Sequence, residues 1–169
     1  MAEFEKIDPD SLSGNIFTML DKDWMLITAG DESSFNTMTA SWGGLGILWH
    51  KRVAYCFVRP TRHTYQFMEK YRYYTLSFYP SKYREALNIC GTKSGRDGNK
   101  VAEAGLNAVA DVSGAIYFKE ANLVFVCDKL YAQNLSPDFF LSPQLDSNYP
   151  QKDYHRMFIG EIISAYINK

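Results

Sequence analysis

Apolar residues in this chain recur mainly at every second position, the spacing of strands, with only short stretches at helical spacing. Trp24 to Ala29 reads as a strand, Gly30-Asp31-Glu32-Ser33-Ser34 as a polar turn, and Asn36 to Trp42 as the second arm of a hairpin. Within that arm Asn36, Met38, Ala40 and Trp42 share one face and Thr37, Thr39 and Ser41 the other, so a burial face backs a row of hydroxyls. Gly43, Gly44 and Gly46 then predict a sharp turn or a close backbone approach to a flat ligand, because no Cβ intervenes. Lys51 to Pro60 sets Val53, Tyr55 and Phe57 against Ala54, Cys56 and Val58 and predicts a largely buried strand.

A short first helix is expected over Ser11 to Leu20, and another over Thr61 to Lys70, with Pro60 ending the strand before it and Thr61 placed to cap it. A strand follows at Tyr73 to Tyr79, then a helix around Tyr83 to Ile89 stopped by Gly91, and a helical turn from Lys100 to Leu106. Strand spacing returns over Ala115 to Phe118 and over Leu123 to Ala132, the latter broken at Asp128-Lys129. Ser136 to Gln151 holds Pro137, Pro143 and Pro150 among polar residues and reads as a long loop of the kind that serves as a lid or interface arm. Tyr154 to Ile167 predicts a long strand buried on both sides. Roughly seven strands with only short helices between them favour a mostly-β barrel over a parallel α/β sheet, where every crossover needs a long helix.

The length of 169 residues suits one domain over residues 1–169, and a net charge of −1 offers no field for wrapping nucleic acid or lying on a membrane. The opening MAEFEKIDPD is acidic and lacks the apolar core of an export signal. Cys56, Cys90 and Cys127 lie far apart without C-x-x-C spacing, which predicts reduced structural thiols and a cytoplasmic location. His50, His63 and His155 are scattered, so no metal site is expected. The 12 tyrosines and 11 phenylalanines fit a flat ligand or an interface, and equally the sheets of an ordinary β-protein.

Candidate chemistry concentrates between Asn36 and Thr64. Arg59-Pro60-Thr61-Arg62-His63-Thr64 brings two guanidinium forks, two hydroxyls and an imidazole together, a set suited to phosphate. The loop from Gly91 to Lys100 lacks the G-x-x-x-x-G-K-[ST] spacing of a triphosphate loop; it reads either as a solvated surface loop or as a cover for a monophosphate. No G-x-G-x-x-G follows a strand, which argues against a Rossmann nicotinamide domain.

Taken in order, NTMTASW, the glycine stretch, FVRPTRHTYQF, YYTLSFY, CGTKSGRDGNK, KLYAQNL and YHRMFIGEI resemble the flavin reductase-like family of FMN-binding split barrels, especially its flavoredoxin-type branch. The resemblance implies a Greek-key split β-barrel with short peripheral helices, a homodimer, and FMN close to the subunit interface. It lays Thr37, Met38, Thr39, Ala40, Ser41 and Trp42 along the isoalloxazine, with the Thr39 and Ser41 hydroxyls at its polar rim and Met38 and Trp42 flanking it. Arg59, Arg62 and Thr64 would hold the phosphate and lower ribityl chain, under a cover of Ser94, Gly95, Arg96 and Lys100. His155 would lie near the open face of the flavin and touch nicotinamide or substrate; its alternative is a histidine satisfied by neighbours at a sheet edge.

The activity implied is NAD(P)H-dependent flavin reduction, with NADH or NADPH as a transient hydride donor and free flavin or another acceptor receiving the electrons. The alternative is a flavoredoxin-like electron carrier that keeps FMN as a prosthetic group and serves a partner protein without efficient nicotinamide turnover. Split barrels that oxidise pyridoxine phosphates share the fold but match NTMTASW and VRPTRHT less well.

Overall fold

The fold is taken from a computed structural model, which describes residues 4–168. Its strands are β1 (Phe4–Ile7), β2 (Met25–Asp31), β3 (Ser34–Ala40), β4 (Gly43–Leu48), β5 (Lys51–Val58), β6 (Tyr73–Phe78), β7 (Ala108–Ala110), β8 (Ile116–Phe118), β9 (Leu123–Asn134) and β10 (Arg156–Asn168). The helices are short: α1 (Ile16–Thr18), α2 (Thr64–Lys70), α3 (Arg84–Thr92) and α4 (Lys100–Glu103). The main sheet runs β3-β2-β6-β9-β10-β5-β4 with β1 added on β10, and its pairings are antiparallel; β7 and β8 form a separate ribbon.

The chain itself curls this sheet. Its two ends, β3 and β4, are consecutive in sequence and joined only by Ser41 and Trp42. Three Cα steps span at most about 11 Å, so the ends of the sheet must approach each other at this link. Since β3 and β4 are not paired, the result is a mostly-β shell split along one seam, with Ser41 and Trp42 at the end of the seam.

One buried face gathers Ile27, Met38, Ala54, Cys56, Val58, Leu76, Phe125 and Phe158, and the other gathers Leu26, Leu87, Cys90, Phe118, Val124 and Val126. Neighbours such as Leu26 and Ile27 therefore bury on opposite sides, which is why β2 up to Gly30 and the start of β9 are buried without interruption. Cys56, Cys90 and Cys127 are free and buried. No helix among the described residues is long and apolar enough to cross a membrane.

Several elements differ from the sequence reading. Gly43, Gly44 and Gly46 form β4 rather than a turn: β5 carries Tyr55 across Gly44, where a Cβ would sit 2.3 Å from the phenol oxygen. The chain reverses instead at Trp49 and His50, both at positive φ, 52° and 58°. The helix after Pro60 starts at Thr64, with His63 in place of Thr61 at its cap. Gly91 does not stop α3 but lies within it, where its missing side chain lets the helix close on Thr39 of β3; a Cβ there would stand 3.3 Å from the Thr39 Cβ.

Asp128 and Lys129 do not break β9. Asp128 is engaged by Arg72 at 2.7 and 2.6 Å, and the Lys129 ammonium donates to the Met68, Glu69 and Tyr71 carbonyls at the end of α2. β10 begins at Arg156 and is not buried on both sides throughout, since Ile163 is exposed. The first helix is reduced to α1, capped by Asn15 and followed by a wider turn over Met19–Asp23. β1 and β7 carry no sequence prediction.

Candidate functional site

The link between β3 and β4 forms the wall of a cavity of about 210 Å³, lined by Met38, Thr39, Ala40, Ser41, Trp42, Phe57, Arg59, Arg62 and His155. The fold thus gathers eight of the residues singled out in the sequence, from β3, from the end of β5 and from the start of β10, and adds Phe57. Phe57 was legible only as one apolar position in an alternating strand; its place at the cavity follows from the pairing of Phe57 with Met157, which sets β5 beside β10. Ser41 also borders a cavity of about 240 Å³ with Trp24, Leu87 and Asn88, and one of about 590 Å³ with Phe17, Leu20 and Lys22.

The other expected residues divide. Thr37 is fully buried and turned into the fold, where its hydroxyl meets Thr28 at 2.9 Å and the Ile27 carbonyl at 3.2 Å. Thr39 lines the cavity, but its hydroxyl proton is donated to the Leu87 carbonyl of α3. Thr64 is buried and accepts from the Asn36 amide at 2.8 Å. Gly95 and Lys100 line a separate polar cavity of about 380 Å³ with Asn36. Ser94 caps the backbone N–H of Arg96 at 3.2 Å, and Arg96 reaches the Thr61 carbonyl at 3.5 Å. Ser94 and Arg96 line neither the 210 Å³ cavity nor this one.

Charge is handled differently at the cavity's two ends. Arg59, expected at a phosphate, donates to both Asp153 carboxylate oxygens at 2.8 Å and to the Asn148 carbonyl at 2.9 Å. Its guanidinium also stands 5.0 Å from the centre of the Tyr149 ring. Those bonds fasten the segment 135–155 to the end of β5.

Arg62 instead donates to the Cys90 carbonyl at 3.3 Å, and Lys100, only 3% exposed, donates to the same carbonyl and to that of Lys93, both at 3.0 Å. Neither makes an ion pair among the described residues. Burial pushes Lys100 down to about 8 and lowers Arg62 below its ordinary value. His63 is lowered too, by its burial and then by Arg96 and Lys100. A buried lysine and a half-buried arginine on one carbonyl, with no carboxylate to match them, make a place where an anion would be stabilised.

His155 is buried between this wall and the arm above it. Its ring centre lies 4.9 Å from Trp42 and 6.3 Å from Phe57, and its Nδ1 lies 2.9 Å from the Tyr149 hydroxyl. Burial, then the charge of Arg59, pushes His155 down to about 4 against the opposing Asp153, so the imidazole is neutral at physiological pH. Tyr149 was missed in the sequence, where it sat in an irregular proline-rich run with no periodicity to mark it.

Residues 20–169 match the family model for the flavin reductase like domain. No curated relative matches the sequence. Among solved structures, the fold is similar to an FMN-binding domain of flavin reductases-like enzyme from Shewanella baltica OS155, at TM-score 0.71 and 15% identity over 99% of this chain and 78% of that one. It is also similar to the flavoredoxin of Desulfovibrio vulgaris (Miyazaki F), at TM-score 0.67 and 20% identity over 86% and 69%. The NADH:FAD oxidoreductase of Streptomyces globisporus C-1027 aligns at TM-score 0.66 and 14% identity over 87% and 78%. At these identities the likeness is one of fold.

Proposed function

The chain belongs to the flavin reductase-like family, and from that premise we propose that it is an FMN-binding oxidoreductase, a single domain over residues 1–169 that uses NADH or NADPH to reduce flavin. Bound FMN would supply the two-electron chemistry that links a nicotinamide donor to free flavin or another acceptor. The observation that carries the reading is the pair of cations without a carboxylate partner on the Cys90 carbonyl, half-buried Arg62 at the cavity of Met38 to Trp42 and buried Lys100 at the adjoining polar cavity.

In this reading Arg62 and Lys100 hold the phosphate, with Arg96 as an outer charge and Ser94 and Gly95 shaping the cover. Charge-assisted hydrogen bonds of roughly 1.5–3 kcal/mol each make such anchors effective. Met38, Ala40, Ser41 and Trp42 flank the ring system, Thr39 offers it oxygen lone pairs, and Thr37 and Thr64 brace the wall from behind. A 210 Å³ cavity lies below the usual ligand-pocket range of about 300–1,000 Å³, and Ser41 also borders the neighbouring cavity at Leu87, so residues of both cavities would hold the flavin. His155 and Trp42 stand where the nicotinamide or acceptor meets it.

That same small volume favours a second reading, a flavoredoxin-like carrier whose FMN fills the site and leaves a nicotinamide no place beside His155. In both readings the Greek-key barrel works as a homodimer in the cytoplasm with FMN near the interface. Exposed Ile47, Leu48, Trp49 and Tyr131 at and beside the β4–β5 tip support a second copy as the partner.

The test is an anaerobic absorption titration of the protein with equimolar FMN. Bleaching of the bound flavin by NADH or NADPH at a catalytic rate is the expected result. Bleaching by dithionite alone supports the carrier, and absence of a bound-flavin spectrum contradicts both readings.

A further inference from the structure

Tyr149 is 3% exposed and belongs to the arm between β9 and β10, well outside any strand. Its ring is held by Tyr154 at 4.8 Å, Phe140 at 6.1 Å and the Arg59 guanidinium at 5.0 Å. The arm is itself fastened: Arg59 to Asp153 and Asn148, Lys152 to Asp146 at 2.6 Å, and the Tyr154 hydroxyl to Asp146 at 2.7 Å. This is a fixed support, and the polar atom it delivers to the site is the Tyr149 hydroxyl, 2.9 Å from His155 Nδ1.

We propose that Tyr149 is the positioning residue for His155, donating to Nδ1 and so holding the imidazole in the tautomer that presents an Nε2–H donor to the ligand in the cavity. The inference rests on the reading of His155 as the residue that meets the flavin or its redox partner, and it defines how: through a lone-pair atom of that ligand, a carbonyl oxygen or a ring nitrogen.

The direction of the Tyr149–His155 bond follows from the groups present. The Tyr149 phenol has one O–H to donate, and the hydrogen-bond partner the structure gives it is His155 Nδ1. If Nδ1 carried the proton, the phenol oxygen would accept and its buried O–H would point at no acceptor among the described residues. With the O–H donated to Nδ1, every one of these groups has a partner.

Burial raises Tyr149, which keeps it a phenol, and lowers His155 to about 4, which keeps the ring neutral. Among the described residues the charged groups that act on the imidazole are Arg59 and Asp153, and these are paired with each other. The ring lines the cavity between Trp42 and Phe57, and Nε2, across Cε1 from Nδ1, is the ring nitrogen left for a ligand there. His155 therefore acts as a neutral hydrogen-bond donor at neutral pH and has no second proton to give.

The test is nitrogen-15 NMR of the histidine rings in the full chain, with and without added FMN, in the natural sequence and in Tyr149→Phe. The natural protein should show His155 protonated on Nε2 and bare on Nδ1 at pH 7, unchanged down to about pH 5. Tyr149→Phe, which keeps the ring packing, should populate the Nδ1–H form. In that variant flavin affinity should stay the same while kcat falls roughly tenfold or more at unchanged KM. His155→Gln, which keeps an N–H, should retain more turnover than His155→Leu.

An Nδ1–H ring in the natural protein, or an unchanged tautomer in Tyr149→Phe, would overturn the proposal. Failure of FMN to bind the natural protein would instead remove the flavin reading, while the ring signals would still decide the tautomer.

Discussion

At one end of the cavity Arg59 meets the Asp153 carboxylate at 2.8 Å and the Asn148 carbonyl at 2.9 Å, whereas at the other Arg62, with Lys100 of the separate polar cavity on the same Cys90 carbonyl, meets only backbone oxygen. Both ends carry arginine from the same six-residue stretch, Arg59 to Thr64. What separates them is the matching of charge. A cation already held by a carboxylate is part of the architecture, here the clasp that keeps the 135–155 arm over His155. A buried cation left without one raises the energy of the empty protein and is relieved by an anionic ligand.

Removing the clasp is the largest test of that contrast. Arg59→Ala leaves Asp153 and the arm unfastened, and the melting midpoint should fall by roughly 5 °C. Flavin affinity should change much less than in the next variant. Arg62→Ala should raise the FMN dissociation constant at least tenfold, about 1.4 kcal/mol, with the melting midpoint unchanged or higher because an unmatched cation is gone. A large loss of flavin affinity in Arg59→Ala with none in Arg62→Ala, followed by fluorescence quenching, would reverse the assignment.

A smaller effect is expected from pH. Lys100 is about 8 in the folded chain against an ordinary value of 10.5, so the unfolded state binds more protons between those limits. The penalty of burying its charge is present in full below pH 8, and the stability of the flavin-free protein should rise with pH above it. Anion binding favours the charged ammonium, so FMN affinity should weaken several-fold from about pH 8 to pH 9.5, and Lys100→Met should flatten that slope. The smallest change is expected from Gly95→Ala. Its Cβ would lie 2.1 Å from Asn36 Oδ1, and the loop must shift away from the lysine, costing about twofold in FMN affinity by equilibrium dialysis.

The contrast was not legible in the sequence. Alternation located β2, β3, β5, β6 and β9, because burial of one or both faces imposes a pattern on the residues themselves. It failed at β4, where Gly43, Gly44 and Gly46 have no side chains to alternate and are admitted by Tyr55 lying across them. It failed again at the Trp49–His50 turn, which takes positive φ without glycine or asparagine.

At the site, the β3 wall and both arginines could be found because a row of hydroxyls and a pair of guanidinium groups are local features. Their division into clasp and anion pair depends on Asp153, Cys90 and Lys100, each far along the chain from Arg59 and Arg62, and so on the fold. Tyr149 was out of reach for the same reason, being delivered to His155 by an arm whose sequence has no regular period.

The central claim, that the unmatched cations hold a phosphate, is tested most directly by comparing FMN with riboflavin, its counterpart without the phosphate, in fluorescence titrations of the natural protein and Arg62→Ala. The account predicts that the natural protein binds FMN at least tenfold more tightly than riboflavin and that the gap largely closes in the variant, about 1.4 kcal/mol of selectivity lost. Equal affinity for the two flavins in the natural protein, or an undiminished gap in Arg62→Ala, would contradict it.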